Sequence, residues 1–500
     1  MASALDTEYG DMVAGMQQVF ATGKTRKLEW RREQLEQIHK MVSENHEAIT
    51  AAVREDLGGS KMRGLGELQA ASAADHALDH LDSWTSEKWA SGWLHRLYVR
   101  PEPKGVVLII APWNFPFTLA LGPLVPAIAA GNLVVIKPSE VSPTCSNTIK
   151  TLVQKYLDPE CVKVVEGAVP ETTALLNQRW DHIFYTGNGT IGKIVMQAAA
   201  QNLTPVTLEL GGKSPVIIDE TAQMDATCDR IAMAKWLNCG QICVAPDYVL
   251  VHESKAEEFV ERSAALVKKC YGDDPKSNEE WGKLISPSHV DRVRMLIETS
   301  KGKIVCGGAD GIDKSARHVP PTIIKEPSLS SPIMQEEIFG PVLPVIPYKD
   351  LPDALRMVKQ KETPLAMYVY SQDSRNIEKV LTEVPSGGCS VNSSLEHILG
   401  EDAPFGGKGP SGMGSYHGKY GFDEFSHNRS VLQKSTLPGM RGTAFPLPSA
   451  TSPTPDFVYG IAAKASLGFL PRPLKRQLRK RYVKLAMLVI LARLGLTLFM

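Results

Sequence analysis

The chain predicts an α/β protein: a parallel sheet covered by helices, followed by a second α/β domain. Short apolar runs recur from Val106 onward, and helix-capable stretches separate most of them. At 500 residues the chain is also too long for one small core, so at least two domains are expected in one folded body. Runs that are apolar throughout suit strands buried on both faces, as in parallel sheets.

Before those runs, Leu28, Leu35, Ile38, Val42, Ile49, Val53 and Leu57 follow helical spacing with charged residues between them. This predicts a surface helix or helix pair with one buried stripe. At Gly105 the pattern changes. Strand-like runs cover Val106–Ala111, Leu133–Ile136, Val162–Val165, His182–Tyr185, Val206–Leu210 and Val216–Ile218, with helices expected over Thr144–Leu157 and Thr190–Gln201. A second α/β set runs from Ala232 to about Asn392, with strand-like runs at Tyr248–Val251 and Met367–Tyr370. The paired glycines Gly211 and Gly212 mark the boundary between the sets. Residues 436–456 hold Pro438, Pro446, Pro448, Pro453 and Pro455 among small polar residues, which predicts an extended linker.

Charge and cysteine usage exclude several classes. Fifty-five basic and 55 acidic residues cancel, so there is no global pull toward nucleic acid, and no nucleic-acid partner is expected. Eight cysteines include no C-x-x-C pair, which argues against a zinc ribbon or a thioredoxin-like couple, and no metal is expected. The first residues lack the basic and apolar regions of a secretory signal, so a reducing, cytosol-facing setting with free thiols is expected.

Four short stretches carry chemistry. His182–Gly192 reads as a strand, a glycine-rich turn and a helix start; Gly187, Gly189 and Gly192 fit G-x-G-x-x-G, and Glu209 lies downstream at about the distance of a ribose-binding acid. A phosphate-binding loop at a helix N-terminus and a plain tight turn both fit these residues. Lys137 closes an apolar strand and is followed by Pro138, Ser139 and Glu140; this is either a cation and carboxylate for ribose hydroxyls or a solvated lysine beside a helix cap. Asn114, between Trp113 and Phe115 and flanked by two prolines, sits on a stiff apolar loop that can present its amide to a developing oxyanion, or simply form a turn. Cys243 can be a nucleophile if local donors or a base favour its thiolate, or a small buried filler. Cys239, four residues earlier, would share its face in a helix and is read as the filler.

These stretches occur in one order with others: Pro-Trp-Asn-Phe-Pro (112–116), Ile-Lys-Pro-Ser-Glu (136–140), Leu-Glu-Leu-Gly-Gly-Lys (208–213), Gly-Gln-Ile-Cys-Val-Ala-Pro-Asp-Tyr (240–248), Gln-Glu-Glu-Ile-Phe-Gly-Pro (335–341) and Pro-Phe-Gly-Gly (404–407). Over about residues 10–430 the set resembles the aldehyde dehydrogenase superfamily, and residues 412–419 and 422–427 resemble its class 3 branch, which includes the fatty aldehyde dehydrogenases. The resemblance implies an NAD(P)-binding domain over 1–210, a catalytic domain over 211–400, and a small oligomerisation element near 85–104 and over 401–435 that makes a homodimer.

It also implies roles. Cys243 would be the nucleophile, Glu209 the general base and Asn114 the oxyanion donor. Lys137, with Glu140, would hold the adenosine ribose of NAD or NADP, Glu337 the nicotinamide ribose, and Phe339 would pack beside the nicotinamide. The glycine turn is then used as G-x-x-x-x-G, through Gly187 and Gly192, and Glu209 serves the chemistry rather than the ribose. The thiolate would add to an apolar aldehyde, the adduct would give up a hydride and leave a thioester, and Glu209 would activate water to release the acid. Medium- or long-chain aliphatic aldehydes are expected, with apocarotenoid or aromatic aldehydes as alternatives.

Two other readings remain: an acylating relative that passes the thioester to coenzyme A, which Glu209 argues against, and a catalytically silent membrane-bound scaffold. Two departures from the class 3 pattern stand out. Ile242 replaces the usual threonine before the nucleophile, and Lys408 adds a charge in Gly-Lys-Gly-Pro-Ser (407–411).

Residues 457–500 contain no acidic residue. Leu474, Leu478, Tyr482 and Leu485 fall on one helical face with basic residues crowded around it, and an apolar run interrupted by Arg493 follows. This predicts a membrane-associating tail, either interfacial or spanning, on an enzyme facing the cytosol. A helix packed on the body or on a dimer partner is the alternative. Similar fatty aldehyde dehydrogenases carry apolar C-terminal anchors.

Overall fold

The computed structural model describes residues 4–91 and 95–434. The linker and tail expectations, over 436–456 and 457–500, lie outside the described residues. Residues 4–90 and 98–431 form one compact unit; residues 91, 95–97 and 432–434 fall in a second. Among the described residues, no helix is long and apolar enough to cross a membrane.

The compact unit holds two sheets, each with its own buried cluster. The first has six strands in the order Gly412–Met413, Val206–Glu209, His182–Thr186, Val106–Ile110, Leu133–Lys137, Val162–Val164. All pairings are parallel except the edge pair of Gly412 with Glu209. Val106–Ile110 and Leu133–Lys137 are buried at every position, as expected of strands covered on both faces. The second sheet has seven strands in the order Lys303–Cys306, Thr322–Lys325, Val342–Tyr348, Tyr248–His252, Pro215–Ile218, Ala366–Tyr370, Gly388–Val391. Only its first pair is antiparallel. A further three-stranded sheet has the order Lys88–Ser91, His95–Pro103, Ser426–Lys434.

Most expected elements fall within a residue or two of their observed ends. The stripe from Leu28 to Leu57 belongs to two helices, Leu28–Glu44 and His46–Leu57, with Leu35, Ile38, Val42, Ile49, Val53 and Leu57 buried. Helices Pro143–Tyr156 and Gly189–Ala200 match the expected pair. Val206–Glu209 and Pro215–Ile218, on either side of the two glycines, lie in different sheets. Pro116–Ala130 forms a helix that the sequence reading does not include, with Pro123 and Pro126 inside it. It is almost wholly buried, so packing outweighs the lost backbone bonds.

Candidate functional site

One cavity of about 520 Å³ gathers Asn114, Lys137, Glu140, Gly187, Glu209, Cys243, Glu337 and Phe339. Its first wall lies past the carboxyl ends of the six-stranded sheet, where Ile110, Lys137, Thr186 and Glu209 end or nearly end their strands. The second wall is made by loops ahead of the Tyr248–His252 and Val342–Tyr348 strands, which carry Cys243, Glu337 and Phe339. Gly192 does not line it. A Cβ there would lie 2.8 Å from Leu210 Cδ2, so this glycine lets the Gly189–Ala200 helix pack against the sheet.

The thiol follows an unusual turn. Asn238, Cys239 and Gly240 all have positive φ (53°, 51° and 69°), a left-handed run that costs the two non-glycine residues energy. A Cβ at Gly240 would lie 2.3 Å from Gly340 O, so the turn presses against the Glu337–Gly340 loop. Cys239 is therefore not one helical turn behind Cys243, as the spacing suggested. It is buried near Gly282, whereas Cys243 is half-buried at the cavity. Burial, then the charges of Glu337 and Glu209, push the Cys243 thiol up to about 12, against which the backbone N–H groups of Cys243 and Val244 act.

Asn114 is buried, and its Nδ2 donates to the Gln241 carbonyl at 3.1 Å. Its own carbonyl accepts from Asn238 Nδ2 at 2.9 Å and from Arg63 Nη2 at 3.4 Å. Glu67 Oε2 accepts from the N–H groups of Phe117 and Thr118 at 3.1 and 2.9 Å, satisfying the start of the helix that follows Asn114.

Glu209 is buried, and neither carboxylate oxygen has a hydrogen-bond partner. Burial, reinforced by the charge of Glu424, raises its carboxyl well above the ordinary range. Its backbone is clamped: Gly187 N–H donates to Glu209 O at 3.0 Å, and the next residue, Leu210, donates to Ser411 O at 3.1 Å.

Glu337 is half-buried, and burial, then the Asp247 charge, push its carboxyl up to about 8. Arg292 Nη1 donates to the Glu337 carbonyl at 3.2 Å, and its Nη2 donates to that of Ile338. Phe339 has φ of 45° and meets Trp113 edge-on, with centroids 5.4 Å apart. Lys137 is buried; its ammonium donates to Pro138 O at 2.8 Å and to Glu140 Oε2 at 3.2 Å.

Sequence reasoning missed Arg292, His289 and Thr186, all of which line the cavity. Arg292 and His289 belong to a helix with no motif, Pro287–Glu298. Thr186 lay inside the glycine-turn stretch, and its hydroxyl is buried without a partner. Among the described residues, no group of three His, Cys, Asp or Glu side chains is arranged to hold a metal.

The aldehyde dehydrogenase family profile matches residues 1–431. The chain belongs to the aldehyde dehydrogenase family. It is an enzyme of that kind, and its general reaction is aldehyde oxidation. It is 44% identical over 438 residues to the rat (Rattus norvegicus) protein named aldehyde dehydrogenase, dimeric NADP-preferring, covering 85% of this chain and 95% of that one. It is 42% identical to aldehyde dehydrogenase family 3 member A2 of mouse (Mus musculus), covering 86% and 88%. Among solved structures it is similar to the substrate-bound state of Staphylococcus aureus AldH, at TM-score 0.85 and 37% identity, covering 91% of this chain and 99% of the other.

Proposed function

We propose that this aldehyde dehydrogenase uses Cys243 as a covalent nucleophile to oxidise apolar aldehydes to acids with NAD or NADP. The observation that carries the reading is the convergence of Cys243, Asn114 and Glu209 on one cavity that also holds Lys137, Glu140, Glu337 and Phe339. The cofactor fits the donor set. A buried ammonium beside a carboxylate suits ribose hydroxyls, the unpartnered Thr186 hydroxyl awaits an acceptor or donor, and the glycine turn leads into a helix start that favours phosphate. NAD or NADP supplies the hydride acceptor when bound.

The chain's own groups supply the rest. Cys243 loses its thiol proton to solvent, and the thiolate so formed, held by the backbone N–H groups of Cys243 and Val244 against the burial that raises it, attacks the carbonyl carbon. The Asn114 amide leaves its Gln241 partner for the oxyanion, a donor worth roughly 3–4 kcal/mol in such sites. After hydride departure Cys243 carries the acyl group as a thioester. Glu209, dry and unpartnered, then takes a proton from water as the water attacks that thioester; the acyl C–S bond breaks, freeing the acid and returning Cys243 as its thiolate.

Gly187 and Gly192 serve the cofactor differently in this reading. Gly187 lies at the cavity, and Gly192 lets the helix close on the sheet. An apolar substrate is supported by Leu119 and Trp113 on the cavity wall. The domain limits near residues 210, 400 and 435, a homodimer, and membrane association through the basic, apolar tail belong to the same proposal. A panel of aliphatic aldehydes of increasing length, with apocarotenoid and aromatic members, read by NADH and NADPH absorbance, tests it. Activity confined to short polar aldehydes, or none in a folded enzyme, would overturn it.

A further inference from the structure

A hydrogen-bonded chain ending on the half-buried carboxylate of Glu424 starts from the strand that carries Glu209. Residues two apart on a strand face the same side, so Thr207 and Glu209 share a face of Val206–Glu209. Thr207 is fully buried, and its Oγ1 donates to Glu424 Oε1 at 2.7 Å. The same oxygen lies 2.8 Å from His182 Nε2, and His182 Nδ1 lies 3.1 Å from Lys104 Nζ.

One proton arrangement satisfies this chain. The Lys104 ammonium has no lone pair, so it donates to Nδ1. A neutral ring then carries its proton on Nε2 and donates to Thr207, whose own proton goes to the Glu424 carboxylate. Burial, then the Lys104 charge, hold His182 well below the ordinary imidazole range, in keeping with a neutral ring. Donors and acceptors thus run one way, from a cation to an anion. Gly414, at φ +81°, covers the contact; a Cβ there would lie 2.8 Å from Thr207 Cγ2 and 3.0 Å from Glu424 Oε1.

We propose that Glu424 is a positioning residue for hydrolysis, presenting a fixed negative charge to Glu209, and that Lys104, His182 and Thr207 hold it in place. This rests on the reading of Glu209 as the base. The other ionisable groups around Glu209 are Cys243 on the nucleophile loop and Tyr416 on the segment after Phe405, both held neutral by burial. Across the cavity, burial holds the Glu337 carboxyl up at about 8, Lys137 is paired with Glu140, and Arg292 is turned to the Glu337 and Ile338 carbonyls. Burial and the charge of Arg292 lower the His289 imidazole, which keeps that ring neutral. Glu424 is therefore the anion that acts on Glu209, in agreement with its part in raising the Glu209 carboxyl. A base with raised proton affinity takes a proton from water more readily than an ordinary carboxylate.

The test is the pH dependence of acyl-enzyme hydrolysis, followed after the first NADH burst in single turnovers of the full chain over about pH 5 to 9. Removing the neighbouring charge lowers the affinity of Glu209 for its proton. Glu424→Gln should therefore move the acid limb to lower pH by about one unit with the burst rate unchanged. Glu424→Asp should restore the limb, and Thr207→Val, which frees Glu424, should shift it partway. If Glu424→Gln does not fold, Thr207→Val decides. Limbs that overlie wild type in these variants, yet vanish in Glu209→Gln, would overturn the role of Glu424 and leave the base standing. A limb that persists in Glu209→Gln would overturn both.

Discussion

Asn114 rests its side-chain amide on the Gln241 carbonyl at 3.1 Å, two residues before the thiol of Cys243. Asn238 donates to that same carbonyl at 3.1 Å and to the Asn114 carbonyl at 2.9 Å, so the amide-bearing loop and the thiol-bearing loop are pinned together. Asn114→Ala should lower kcat by about 10²–10³-fold, because the donor to the oxyanion is lost. Stopped-flow absorbance at saturating aldehyde measures this, and a kcat within twofold of wild type would remove Asn114 from the chemistry.

The two neighbouring thiols should separate cleanly. Burial pushes both Cys239 and Cys243 up to about 12, so titration does not distinguish them; location does. Cys243→Ser should bind cofactor and lose nearly all oxidation, while Cys239→Ser should stay mostly active. Peptide mapping after iodoacetamide should find Cys243 labelled and Cys239 spared, with exposed Cys270 as the internal reference. Equal loss of activity in two folded variants would break the assignment.

Glu209→Gln should release a first burst of NADH and then turn over slowly, since only water activation is lost. The sign of the pH effect follows from the raised carboxyl. Below its raised pKa Glu209 holds a proton and cannot act as base, so hydrolysis falls as pH drops through that value. The acid limb should therefore lie above the ordinary carboxylate range. A wild-type limb near pH 4 would contradict the burial of Glu209, a value within the ordinary glutamate range of about 4.3.

Lys213 and Asp247 form a buried ion pair, and the remaining valences are filled. Lys213 Nζ donates to Ile333 O and Glu336 O, each at 2.8 Å, and Asp247 Oδ1 accepts from Ile338 N–H at 2.9 Å. The pair therefore anchors the loop carrying Glu337 and Phe339. Lys213→Met should cost about 3–5 kcal/mol of stability, because Asp247 is left charged and unpaired. The double variant Lys213→Met, Asp247→Asn should recover part of this in urea unfolding. No recovery would mean that the pair is not the cause.

How much of this was legible follows from contact range. Glu209, Cys243 and Asn114 stand in short local motifs, and the apolar run Val206–Leu210 placed Glu209 near a strand end. The left-handed turn at 238–240 was hidden, because Asn238 and Gly240 each tolerate positive φ without requiring it and Cys239, between them, gives no sign of it. The Thr207–Glu424 contact joins residues 217 apart, and no local pattern encodes such a meeting. Arg292 acts through backbone carbonyls, which carry no residue identity to read. The only trace of Glu424 was its place in Phe-Asp-Glu-Phe-Ser-His (422–427), a stretch noted for its resemblance rather than its charge.

The tail allows a physical test that is independent of catalytic chemistry. Residues 457–500 carry basic groups and no acidic ones, and a Pro-rich stretch over 436–456 separates them from the last strand, Ser426–Lys434. Deleting 457–500 should leave a folded enzyme that is active on short, water-soluble aldehydes. Activity on long-chain aldehydes presented in vesicles should fall, because those substrates partition into the bilayer and the truncated enzyme stays in water. Replacing Arg476, Arg479, Lys480 and Arg481 with Gln should weaken binding to anionic vesicles by roughly 1 kcal/mol per charge and affect neutral vesicles much less. Co-sedimentation decides the matter. If full-length and truncated proteins pellet equally with anionic vesicles, the tail is not an anchor; if the truncation unfolds, it packs on the body instead.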